Sequence, residues 1–397
     1  MPIVDISPLD KNELIANRRW LHQNPELKFQ EHKSSKFIVE KLVGLGYQVQ
    51  TNIAQTGVVA VINTNRPGPT LMLRADMDAL PVKEENSTNY ISNNTGVMHA
   101  CGHDGHMAML LSTAKQLAQI APQLSGTLKL VFQPGEEGGN GALRMIEQGV
   151  LESPKVDAAF GIHLWNGLPV GQVGVINGPV MASVDEFYIT VKGRGGHGAM
   201  PHQTVDAILA ACHIVTALQT IVSRNVNPLD SAVVTIGSFH AGEAFNVIAE
   251  QAYLRGTVRT FSRELYDQIP DIFHRVATNT AAALGAECTI KYERLGPPTI
   301  NDPVMADFVR QIASEVVGKE NIISDDRART MAGEDMAYFL AKVPGCFFFV
   351  GSQNESRGLI HPHHSPFFDF DEEALPIGVE IFKRITTRFL ENGGKQA

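Results

Sequence analysis

Thr127-Leu-Lys-Leu-Val-Phe-Gln-Pro-Gly-Glu-Glu-Gly-Gly139 runs from a mostly apolar segment straight into a pair of carboxylates on a glycine-rich loop. Thr127–Phe132 reads as a strand, because the run is short and Pro134-Gly135 punctuates its end. The same arrangement recurs along the chain. Thr70–Leu73 leads into Arg74-Ala-Asp76-Met-Asp78-Ala-Leu-Pro81, and Ala158–Ile162 leads into His163. Phe347–Val350 leads into a loop holding His361, His363 and His364. Helical spacing separates these strands: Met107, Leu110, Leu111, Ala114 and Leu117 fall on one side of a predicted helix over Asp104–Ile120. Nearer the start, Leu14, Arg18 and Leu21 keep helical spacing, as do Phe37, Ile38, Lys41 and Leu42, with Gly44 and Gly46 ending the second helix. Strand and helix in alternation predict an α/β fold built on a mainly parallel sheet.

A different rhythm occupies 184–295. Phe187–Val191 reads as a strand and Val205–Arg224 as a helix; Ala232–Phe239 and Ala252–Arg259 are two further strands. Arg263–Leu284 is a helix and Cys288–Tyr292 a last strand. The order β-α-β-β-α-β is the ferredoxin-like arrangement, which folds as its own sandwich. The expected organisation is a discontinuous domain of 1–183 and 296–397, interrupted by an inserted one of 184–295.

Size and charge narrow the function classes. A chain of 397 residues exceeds one ordinary core and suits two domains. A net charge of −9 excludes a general nucleic-acid partner, which needs a basic surface. The first 21 residues carry Asp5, Asp10, Glu13, Arg18 and Arg19 and no apolar signal core, and runs such as Cys346–Val350 are far too short to span a membrane. Cys101, Cys212, Cys288 and Cys346 are too scattered to read as a disulfide framework, so a cytoplasmic location is expected.

Chemistry gathers at the strand ends. In an open parallel sheet the carboxyl ends of neighbouring strands face one crevice, where ligands bind. The segment His99-Ala-Cys101-Gly-His103-Asp104, just before the predicted helix, adds imidazoles and a thiol to the carboxylates. A mixture of Cys, His and Glu suits Zn²⁺ or a similar borderline ion better than Mg²⁺ or Ca²⁺. In Glu136-Glu137, extended backbone would aim one side chain at a cation and its neighbour at a water, whose proton it could take. Each piece alone has a plainer reading: a solvated Glu-Glu pair, a buried core Cys and His, a structural His163, a surface histidine loop. Their coincidence on one sheet edge favours a metal site.

These motifs resemble the co-catalytic metallo-amidohydrolases that include aminoacylase, carboxypeptidase G and succinyl-diaminopimelate desuccinylase. The nearest branch is similar to the hippurate hydrolases and indoleacetyl-amino acid hydrolases. The resemblance is carried by Arg19-Trp-Leu-His-Gln-Asn-Pro-Glu-Leu27, Arg74–Pro81, Met98-His-Ala-Cys-Gly-His-Asp-Gly-His106 and Phe132–Glu137. It continues through Gly195-Gly-His-Gly-Ala-Met-Pro-His202, Phe245-Asn-Val-Ile248, Gly256-Thr-Val-Arg-Thr260, Gly333-Glu-Asp335 and His364-Ser-Pro366.

The resemblance implies two divalent metal ions per subunit, Zn or Mn with Co or Ni as alternatives, held by Cys101, His103, Glu137, His163 and His364. His364 is preferred to His361 and His363 because it opens the His-Ser-Pro motif. Glu136 would be the general base and Asp78 a group steering a ligand. The inserted domain would mediate a homodimer, its His197 stabilising the oxyanion while Asn246 and Arg259 bind the amino-acid part. More distant relatives carry a metal His where this chain has Asp76 and an Asp where it has Cys101; Ala249 and Asn140 are further departures. The implied reaction is metal-dependent hydrolysis of an N-acyl amino acid, hippurate-type or N-acetyl. The alternatives are an N-acetyl-diaminopimelate deacetylase, an N-carbamoyl amino acid hydrolase, or a catalytically idle binding relative.

Overall fold

Four strands buried along nearly their whole length lie parallel and side by side: Thr127–Gln133, Thr70–Asp76, Ala158–Pro169 and Gly345–Gln353. They form the centre of an eight-stranded sheet in a computed structural model that describes residues 2, 4 and 6–394. Parallel strands covered on both faces must be apolar throughout, which explains runs such as Phe347-Phe348-Phe349, all with no exposed surface. The sheet turns mixed at its edges. Gly57–Asn63 is antiparallel to Thr127–Gln133, Gln48–Ile53 is antiparallel to Gly57–Asn63, and Val173–Gly174 is antiparallel to Gly345–Gln353. The outer strand Gln48–Ile53 is largely exposed, as an antiparallel edge with one wet face can be.

Three helices, His103–Ile120, Pro303–Val317 and Ala374–Glu391, pack on this sheet, the last of them against both others. The first is buried from His103 to Ala114 without interruption, so it has no amphipathic stripe.

The strands outrun their apolar cores. Asp76, Gln133 and His163 lie inside their strands rather than in the loops after them. The reason is internal satisfaction of their polar groups. Arg74 Nε donates to Gln133 (2.8 Å), and its guanidinium also reaches Asp76 (2.8 Å) and Asp335 (3.0 Å). A buried polar cluster that closes on itself does not end a strand.

The chain divides into two compact units. The first comprises the chain through Val180, Ile300–Thr330 and everything from Asp335 on; the second is Met181–Thr299 with Met331–Glu334. The second unit has a four-stranded antiparallel sheet in the order Ala232–Ala241, Gln251–Thr260, Val184–Lys192, Glu287–Gly296. Helices Ala207–Thr220 and Arg263–Ala283 pack together and against it, completing the β-α-β-β-α-β order. Among the described residues Ala207–Asn225 is the one helical stretch long and apolar enough, by length and composition, to cross a membrane. Its Ala210, Ala211, Ile214 and Leu218 side is buried in the core of this unit.

Candidate metal centre

Seven of the predicted residues converge at the carboxyl edge of the large sheet. Asp78 follows the strand that ends at Asp76, and Glu136 and Glu137 follow the strand that ends at Gln133. His163 projects from within its own strand, and Cys101 and His103 come from the turn that starts the buried helix, where Gly102 has φ +88°. His364 arrives on the loop after Gly345–Gln353, itself at φ +67° with its amide donating to the Ala100 carbonyl.

The donor atoms form two sets that share one thiol. Cys101, His103 and His163 each present a ligand atom within 4.8 Å of the others, and so do Cys101, Glu137 and His364. Cys101 Sγ lies 3.6 Å from His163 Nε2, and His364 Nε2 lies 3.4 Å from Glu137 Oε1. His103, Glu136 and Glu137 make a third such group, placing Glu136 beside the second set.

His103 and His163 are each turned by a backbone carbonyl. His103 Nδ1 donates to the Asp78 carbonyl (2.8 Å), which leaves Nε2 as the nitrogen available to a cation, and that buried atom has no hydrogen-bond partner. His163 Nδ1 donates to the Leu164 carbonyl (2.6 Å), again freeing Nε2 toward Cys101. This is how proteins present imidazole to a metal. Burial together with the neighbouring His106 and His363 rings holds the His163 pKa well below the ordinary value, so the ring is neutral. Burial and the Glu137 charge push the Cys101 thiol up; a thiolate there requires a cation. Hydrogen bonds to Cys101 and Glu137 raise His364 to about 10. An orphaned buried nitrogen and a thiol shared by two donor sets fit a pair of divalent cations.

Glu136-Glu137 departs from the extended backbone expected of it. The pair opens a short turn, Glu136–Gly139, after Gly135 at φ +64°, with Glu137 at φ −66°, ψ 68°. Asp78 steers this turn directly: its Oδ1 accepts the Glu136 N–H and its Oδ2 the Glu137 N–H, both at 2.9 Å. The turn is also closed from behind. A Cβ on Gly141 would lie 1.6 Å from the Pro134 carbonyl oxygen, so Gly141→Ala should destabilise the fold by about 2 kcal/mol or more, measured by denaturant unfolding.

The other two loop histidines separate clearly. His363 stacks on Trp165 (4.6 Å between centroids) and donates Nε2–H to the Leu164 carbonyl (2.9 Å), while His361 is exposed. Burial lowers His363 to about 3, so it is neutral. Sequence reasoning gave no role to His106, Arg74, Gln133 or Asp335, yet these brace the site. His106 Nδ1 donates to Asp76 (2.6 Å), and its Nε2 accepts the Leu164 N–H (2.9 Å) beside His163. Asp335 accepts from Gln133, Arg74 and the Ala142 amide. The legible signal was the presence of charged residues inside apolar strands.

His197, Asn246 and Arg259 belong to the second unit. His197 and Asn246 are exposed neighbours on one ribbon, where His197 pairs with Val247 and the Gly198 amide donates to the Asn246 carbonyl (2.8 Å). Phe245 beside them is fully exposed. Arg259 stands apart on Gln251–Thr260, lining an open cavity of about 440 Å³ with Thr235, Thr257 and Arg255. Burial lowers its pKa, though it stays charged.

Residues 72–388 match the model of peptidase family M20/M25/M40. This chain belongs to that family. Among its relatives, an N-acetyl-L-cysteine deacetylase of Bacillus subtilis is 42% identical over 94% of this chain and 86% of its own length. An IAA-amino acid hydrolase ILR1-like 4 of Arabidopsis thaliana is 40% identical over 95% of this chain and 86% of its own. The solved structure of the Bacillus subtilis YXEP protein, a dinuclear metal-binding peptidase from the M20 family, superposes with a TM-score of 0.85 at 36% identity. It covers 97% of this chain and 99% of that one. This M20 chain is an enzyme of the metallo-amidohydrolase type, and its large α/β fold is that of the family.

Proposed function

We propose that the enzyme hydrolyses the amide bond of small N-acyl amino acids, releasing a carboxylate and a free amino acid. The observation that supports it most is the Cys101 thiol common to two donor sets, with Glu136 immediately alongside. In this reading Cys101, His103 and His163 hold one cation, and Cys101, Glu137 and His364 the other, Zn or Mn being the candidates. Bound there, the cations would polarise the scissile carbonyl and acidify a water. Glu136 takes the proton of the attacking water and delivers it to the leaving nitrogen. Asp78 keeps Glu136 and Glu137 in place through their amides. The names of the acetylcysteine and indoleacetyl relatives support an acyl amino acid as substrate and leave the acyl group to experiment.

The second unit is the dimerisation domain in this reading, within a cytoplasmic homodimer. His197 supports the oxyanion, and Asn246 and Arg259 take the amino-acid end, Arg259 by the bidentate fork that suits a carboxylate.

Metal-stripped protein should be inactive and should recover on addition of Zn²⁺, Mn²⁺ or Co²⁺, assayed with N-benzoylglycine, N-acetyl amino acids and indoleacetyl amino acids. Activity that never depends on metal, or no hydrolysis of any acyl amino acid by fully loaded protein, overturns the proposal. Cys101→Ser should weaken metal retention at both donor sets together, because the thiol is common to them, with cation content measured after dialysis. Loss of only one cation would show that the sulfur serves a single site.

A further inference from the structure

The segment around Lys28–Glu31 lies against the turn that carries Glu136 and Glu137, and four contacts meet there. Glu31, with no exposed surface, accepts the Gly135 N–H on Oε1 (3.0 Å) and the Thr56 hydroxyl on Oε2. Lys28 Nζ donates to the Glu137 carbonyl (2.7 Å). Phe29 presses its ring on the turn: a Cβ built on Gly135 would lie 2.6 Å from that ring, and one on Gly139 2.8 Å. Arg144 covers the same ring at 4.2 Å from its centroid. With the two amides held by Asp78, three successive N–H groups, Gly135, Glu136 and Glu137, each end on a buried carboxylate.

The arrangement runs against ordinary preferences in two places. Phe29 sits at φ +60°, where a bulky side chain is rarely found and which persists only where its surroundings dictate it. Glu31 is a buried carboxyl that accepts from the Gly135 amide and the Thr56 hydroxyl. Burial, with the nearby Asp78 charge, pushes its pKa up to about 7. Both features act on one turn, whose Gly135 and Gly138 also have positive φ.

We propose that Lys28, Phe29 and Glu31 form a clamp that fixes the Gly135–Gly139 turn, making Glu31 a positioning residue for Glu136 and Glu137. The proposal rests on the reading that Glu136 and Glu137 carry the chemistry. Reacting groups must be held to within a fraction of an ångström, and a displacement of about 1 Å can cost on the order of 100-fold in rate.

The test compares Glu31→Leu, Glu31→Gln and Phe29→Ala in the full chain. Glutamine keeps an acceptor for the Gly135 amide and a partner for Thr56; leucine keeps neither. Glu31→Leu should lower hydrogen-exchange protection of a peptide spanning 133–142 at least tenfold, with 103–120 unchanged. It should also reduce kcat by about 10- to 100-fold with KM nearly constant, and weaken Mn²⁺ or Zn²⁺ retention against a chelator. Glu31→Gln should stay within about threefold of the parent in each measure. Phe29→Ala, the variant to read if Glu31→Leu does not fold, should loosen the same peptide. Unchanged protection in both Glu31→Leu and Phe29→Ala overturns the clamp, as does an equal and chain-wide loss in Glu31→Gln. If the parent protein hydrolyses no acyl amino acid, the functional reading falls while exchange and metal retention still decide the clamp.

Discussion

Glu136→Gln should lower kcat on the best N-acyl amino acid by about 10³-fold, close to 4 kcal/mol of transition-state stabilisation, with metal content unchanged. The structure makes this substitution unusually clean. The turn is held through the backbone amides of Glu136 and Glu137 on Asp78, so exchanging one carboxylate oxygen for nitrogen leaves those bonds intact. Both cation donor sets also remain, because Glu136 belongs to neither of the two that share Cys101. Steady-state kinetics with metal analysis on the same sample would separate the two effects. A variant within tenfold of the parent would remove Glu136 as the proton carrier; a variant that lost its metal would make it a ligand instead.

Arg18→Met should destabilise the protein by about 3–5 kcal/mol. The Arg18 guanidinium has no exposed surface and is bound by Asp104 (2.9 Å), Asp369 (2.6 Å) and Glu372 (3.3 Å), with the Phe370 ring 4.2 Å away. Removing it takes the shared buried cation from three acidic groups and leaves Asp104 to His22, Asp369 to Tyr90 and Glu372 to Arg19; Asp104 directly follows His103 in sequence. Denaturant unfolding across pH gives a signed test. Despite burial, the Arg18 charge keeps Asp104 and Asp369 below the usual carboxylate range in the folded protein. Their contribution is therefore complete above about pH 4 and is lost as pH falls through the folded values. His22 shifts the other way. Burial opposes its charge, but Asp104 (2.8 Å) and Glu84 (3.1 Å) raise it to about 9. Its contribution is complete below about pH 6.5 and fades as pH rises toward about 9. Arg18→Met should move the acid limb upward, since carboxyls without the Arg18 charge will bind protons more readily in the fold. An acid limb that stays in place would show that Arg18 is not what keeps them ionised.

The architecture was largely written in local patterns. Apolar runs such as Phe347–Val350 can satisfy their surface only between two covered faces, and their alternation with helices implied the parallel centre. The β-α-β-β-α-β order of the second unit was equally local, since helical and strand periodicities differ within a single window. Strand ends were less legible. Arg74, Asp76 and Gln133 look like loop residues until Asp335 and His106, far away in sequence, are seen to satisfy them.

The chain by itself therefore determined which residue types stand at the ends of which strands, because alternation and apolar runs are properties of neighbours in sequence. Tertiary structure alone decided which nitrogen each histidine offers, since the Asp78 and Leu164 carbonyls that fix His103 and His163 depend on backbone paths. It decided also that His364 faces Glu137 while His363 braces the Leu164 carbonyl, a choice between adjacent residues that spacing cannot make. And it brought Glu31 to the Gly135 amide across 104 positions, because a buried carboxyl must find its partners wherever the fold supplies them.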